Sequence, residues 1–133
     1  MSSAKEALNV DDKRIKAAFA MAPGIVQAFG MDEGGLRQLK VPAYITVGAA
    51  DIQAPPAENA EFAARYAERA EPHVIPGRVD HDIFVNECNE AGQNEFPQAC
   101  IDAPGVDRAS IHAQTGGAAV RFFDASLNVP HGK

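Results

Sequence analysis

The chain is poor in several things. Its 133 residues include two cysteines and four serines, no excess of basic side chains and no long apolar run. Each scarcity excludes something. With 12 lysines and arginines against 18 aspartates and glutamates, the net charge of −6 offers no footprint for a polyanion or an anionic lipid surface. Nucleic acid and membrane are therefore set aside as partners. The longest apolar run, Ala17 to Val26, is interrupted by Pro23 and Gly24 and falls well short of the roughly 20 residues that a bilayer span requires. Met1-Ser2-Ser3 leads into a charged stretch, not into the basic-then-apolar pattern of a secretion signal, which points to the cytoplasm. Cys88 and Cys100 can close a disulfide over an irregular segment, which would suit a secreted or periplasmic protein, or can stay as two thiols in a reducing compartment. They do not make a zinc site, which wants four ligands at motif spacing.

What is present reads as one α/β domain over residues 1–133. At 46% hydrophobic and 23% charged the composition suits a soluble globular chain, and no repeat, low-complexity tract or linker divides it. Ser2 or Ser3 can cap a short helix through Leu8, and Asn9 to Lys13 is a polar turn. Ile15 to Ala22 is a compact apolar run ended by Pro23-Gly24, which predicts a strand buried on both faces. A polar link with one helical turn around Leu36 to Leu39 leads to Pro42. From there Ala43 to Val47 is rich in residue types that favour pleated structure. Apolar side chains at helical spacing predict an amphipathic helix from Ala57 to Ala70, and His73 to Ile75 a short strand. Phe84 to Pro104 has no period and reads as a long excursion of loop and short helix. Asp107 then caps a final helix to about Leu127. Gly116-Gly117 interrupts it, which a close contact with the sheet would explain.

The stretch from Val41 to His81 organises the rest. An acid, Asp51, and a histidine, His81, each follow a strand, with one helix between them. The two strands can lie parallel and present both side chains at one edge of a sheet. A carboxylate so placed holds an imidazole in one tautomer while the other ring nitrogen handles a nucleophile's proton. Each residue also has a plainer use: Asp51 as a turn residue, His81 as a solvated loop histidine, His112 as a packing histidine on the last helix. A metal site from Asp51, Asp80, His81 and Asp82 is weighed and set aside, because adjacent residues rarely converge on one ion, so no metal or other cofactor is expected. Cys88 lies seven residues after His81 and on no sharp strand-to-helix turn, a poor position for a nucleophile.

Three segments carry a resemblance: Arg14-Ile15-Lys16-Ala17-Ala18-Phe19-Ala20-Met21-Ala22-Pro23; Lys40-Val41-Pro42 into Val47-Gly48-Ala49-Ala50-Asp51; and Pro76-Gly77-Arg78-Val79-Asp80-His81-Asp82-Ile83-Phe84. Cys100-Ile101-Asp102, Gly105-Val106-Asp107-Arg108 and His112 extend it. The chain resembles, from about Asp12 to Val129, the C-terminal half of an α/β-hydrolase, in particular the dienelactone-hydrolase-like esterases. The resemblance implies a partial fold of about three parallel strands with flanking helices, the nucleophile-bearing half being absent. It implies catalytic roles for Asp51 as the acid and His81 as the base. That family's serine lies upstream in Gly-x-Ser-x-Gly, and none of Ser2, Ser3, Ser110 and Ser126 has that framing. Two thirds of a triad are expected, without the serine and its oxyanion donors. The implied partners are a small-molecule ester, once the site is completed, and either a complementary N-terminal half or a second copy of the chain.

Overall fold

The computed structural model describes residues 12–128. The helix expected from Ser2 to Leu8, and most of the turn before Lys13, lie outside them. Three parallel strands, β1 (Ala18–Met21), β2 (Ala43–Gly48) and β3 (Ala70–Ile75), form one sheet in the order β1-β2-β3. Parallel neighbours need a crossover between them. The first contains α1 (Glu33–Leu36) and the second α2 (Ala60–Tyr66). Two short helices, α3 (Glu90–Glu95) and α4 (Pro97–Cys100), interrupt the excursion, and α5 (Arg108–Ser126) closes the described chain. Asp107 caps α5, its carboxylate accepting from the Ser110 N–H at 3.0 Å.

The sheet has two unlike faces. On one, Ile45 and Val47 pack with Leu36, Ala60, Ala63 and Ala22 into the buried core, with Phe62 and Tyr66 at its border. On the other, the rings of Phe19, Tyr44 and His73 stack across the three strands, 4.7 Å and 3.8 Å between successive centroids, and Phe122 of α5 tilts against the first two. Coverage by α5 is partial, since Arg108 at its first position is its one buried residue. An open cleft of about 680 Å³ remains between the helix and the ends of the strands at Pro42 and Ala70.

Four expectations need correction. The first strand is shorter than Ile15 to Ala22 and is not buried on both faces. No residue of β1 is fully buried and Ile15 is exposed, because β1 is an edge strand under a loosely seated helix. The helix from Ala57 to Ala70 is instead a 3-10 turn (Pro56–Glu58) and α2, separated by Asn59, whose φ and ψ of −123° and −85° lie outside the helical region. It stops at Tyr66, so β3 begins three residues earlier than His73. Gly116 and Gly117 make no close approach to the sheet: a Cβ at Gly116 would meet nothing within 4 Å, and one at Gly117 only the tip of Arg121.

Candidate functional site

All three strands point their C-terminal ends at one rim, and the chain leaving each is tied to the next. After β2, the backbone turns at Gly48 and the Ala50 N–H donates to the Val79 carbonyl at 2.9 Å. Glycine is required there, because a Cβ on residue 48 would stand 2.2 Å from the Val79 carbonyl oxygen. This approach brings the segment after β3 across the end of β2. The segment then enters a 3-10 turn, His81–Phe84, whose cap is Asp80, accepting from the Asp82 N–H at 3.1 Å.

At this crossing the two predicted residues meet. His81 Nδ1 lies 2.8 Å from Asp51 Oδ2. The other carboxylate oxygen, Oδ1, accepts from the backbone N–H groups of Gln53 at 2.9 Å and Ala54 at 2.7 Å. Asp51 is thus a turn residue and a histidine partner at once. A carboxylate only accepts, so the shared proton sits on Nδ1, and in the neutral ring Nε2 is left as an acceptor. Exposure divides the pair in the same direction: the Asp51 side chain is wholly buried, whereas that of His81 is 32% exposed. An acid sealed behind a partly exposed base can orient and charge-balance the imidazole without being reached by a substrate.

The remaining predicted residues fall elsewhere. His112 does pack, and also bonds: its Nε2 donates to the Ile83 carbonyl at 2.6 Å, fixing the turn that carries His81 to α5. Cys88 and Cys100 form a disulfide, which leaves Cys88 no thiol. Asp80 and Asp82 do not join Asp51 and His81 around a point. Among the described residues no three His, Cys, Asp or Glu side chains converge as a metal ion would need.

Three residues escaped the sequence. Arg108 is buried at the start of α5, where its guanidinium forms a two-pronged pair with Asp102, 2.9 Å from Nε and 2.7 Å from Nη2. It also donates to the carbonyls of Val85 at 3.0 Å and Ala99 at 2.8 Å. The bonds to Asp102 raise the Arg108 pKa, so the side chain stays cationic. Its motif segment was visible in sequence, but its carbonyl partners were not. Asn59 Oδ1 accepts from the Ile25 N–H at 2.7 Å and its Nδ2 donates to the Pro55 carbonyl at 3.0 Å, joining the exits of β1 and β2. Ala22, the first residue after β1, has φ of +46°. This is an unusual conformation for a residue with a side chain, held here by burial of its methyl group and an N–H bond to the Thr46 carbonyl. Nothing in an alanine before a proline signals it.

No protein-family model matches the chain, and no curated protein or solved structure matches it either. Among the described residues no helix is long and apolar enough to cross a membrane.

Proposed function

We propose that this chain is the acid-and-base half of a serine ester hydrolase with a partial α/β-hydrolase fold, akin to the dienelactone-hydrolase-like esterases. The carrying observation is the 2.8 Å contact of His81 Nδ1 with a buried Asp51, at the rim where three parallel strands end. A serine from outside this chain attacks the carbonyl carbon of a carboxylic ester or lactone. His81 Nε2 takes the serine proton and returns it to the leaving alkoxide, while Asp51 balances the imidazolium. Water then repeats the cycle on the acyl-serine with the same base. Alone, the chain has no nucleophile framed for this route.

Complementation tests the reading. A separate polypeptide carrying a strand, Gly-x-Ser-x-Gly and a helix is co-expressed with this chain, and p-nitrophenyl acetate hydrolysis is followed. Serine-dependent turnover that falls about 10²–10⁴-fold on His81→Ala in this chain supports the proposal. Turnover by the chain alone that His81→Ala abolishes, or complemented turnover indifferent to His81, ends it.

A second reading is favoured by the outer edge of β1, which pairs with no strand among the described residues. Such an edge invites another chain, so a non-catalytic module that self-associates there is the alternative. Both readings predict association at micromolar concentration in size exclusion. They part on whether added serine-bearing partner yields turnover.

A further inference from the structure

We propose that the Cys88–Cys100 bridge and Arg108 form a single brace that positions His81 against Asp51, and that reducing the bridge loosens this pair while the rest of the fold persists. The brace is a positioning device and touches no substrate. The proposal rests on taking Asp51 and His81 as the working pair, but it is read on their hydrogen bond and needs no hydrolysis.

The lobe between the His81 turn and α5 has little to hold it. Neither α3 nor α4 buries a residue, and most of the segment from Val85 to Gln98 is exposed. A segment without buried apolar contacts opens at low free energy unless something else ties it. Two ties are present, and both join the same two stretches of chain. The bridge links Cys88 to Cys100. The guanidinium of Arg108 reaches Val85 and Asn86 just before Cys88, and Ala99 and Asp102 on either side of Cys100. The near stretch begins where the His81 turn ends: the Val85 N–H donates to the Asp82 carbonyl at 3.0 Å. Slack in the lobe therefore reaches the end of the turn that aims the imidazole, whose other holds are the buried Ile83 and the His112 bond to the Ile83 carbonyl.

Asp51 depends on the lobe less: its carboxylate accepts from backbone N–H groups within three residues, and the distant bond of its loop, Ala50 N–H to the Val79 carbonyl, is made before the His81 turn and not to the lobe. The brace thus acts chiefly on one partner. Both cysteines are half-buried in an exposed lobe, within reach of a small dithiol. A dithiol supplies two electrons and two protons, the bridge opens to two thiols, and the reductant closes to its own cyclic disulfide.

The test uses the intact chain with nitrogen-15 histidine, oxidised and then reduced with dithiothreitol. Hydrogen exchange is followed at the His81 ring proton and at the Gln53 and Ala54 amides. Reduction is expected to speed exchange at the His81 ring about tenfold or more and to leave those two amides unchanged. Arg108→Met in the oxidised chain should do the same, and Arg108→Lys should restore part of the protection, since an ammonium cannot reproduce the fork. Unchanged ring exchange after complete reduction overturns the proposal. So does loss of the Gln53 and Ala54 amides in step with the ring, which would make the bridge a general stabiliser. Neither result bears on the serine complementation, so the two readings fail separately.

Discussion

The two halves of the Asp51–His81 pair are held by opposite means. Asp51 is held mostly from close by: the Gln53 and Ala54 N–H groups saturate one carboxylate oxygen, and the one distant tie of its loop is the Ala50 N–H to the Val79 carbonyl, across the turn at Gly48. His81 sits in a turn suspended from afar, by His112 at the Ile83 carbonyl, by Arg108 at the Val85 carbonyl, and by a fully buried Ile83. The separations in sequence are 29 residues for the first bond and 23 for the second. A locally closed loop folds and refolds as a unit, whereas a suspended turn inherits the looseness of whatever suspends it. Asp51 is the more closely fastened member of the pair and His81 the one held from farther away. This asymmetry suits chemistry in which the imidazole must exchange a proton and the carboxylate must not.

Substitutions can break that contrast. The largest effect is expected for Arg108→Met, which leaves the Asp102 carboxylate and several carbonyls without their cation and should cost about 3 kcal/mol in a urea midpoint, as for a broken buried ion pair. The base turn should lose amide protection first and the acid loop last. Gly48→Ala strikes both arms at their joint, where the new methyl collides with the Val79 carbonyl. A loss of about 2 kcal/mol is expected, with Asp51 and His81 displaced together. If the Gly48 variant instead melts like the parent, the Val79 carbonyl does not press on residue 48. Asp107→Ala removes the α5 cap and should cost about 1 kcal/mol, felt at Arg108 and not at Asp51. The smallest change has the opposite sign. Gly116→Ala meets open space and should raise stability by up to about 1 kcal/mol, leaving both arms as they are.

The same asymmetry decides what could be read from the sequence. The β2 strand, the position of Asp51 and the Asp107 cap are local matters, governed by residues within a few positions, and each was legible; the turn at Gly48 was legible too, but not the distant Val79 carbonyl that requires glycine there. So was the meeting of Asp51 with His81, because two parallel strands joined by a helix leave few places for their exits. The split of the second crossover at Asn59 was not legible, and neither was the partner its side chain takes there, the N–H of Ile25, 34 residues earlier. Ile15 to Ala22 read as a two-sided core strand because its apolar composition does not say whether an edge or a centre will hold it. The glycine pair in α5 suggested a close contact that the loosely seated helix does not make. Arg108 gathers carbonyls from two distant stretches, and a cysteine spacing that allowed a bridge could not choose it over two thiols.

The most direct test is the protonation of the His81 ring at neutral pH, read by nitrogen-15 chemical shifts in the intact oxidised chain. A proton on Nδ1, hydrogen-bonded and slow to exchange, with the neutral ring moving to the Nε2–H tautomer in Asp51→Asn, is the predicted result. A wild-type ring already in the Nε2–H form, or one that Asp51→Asn leaves unchanged, would contradict it.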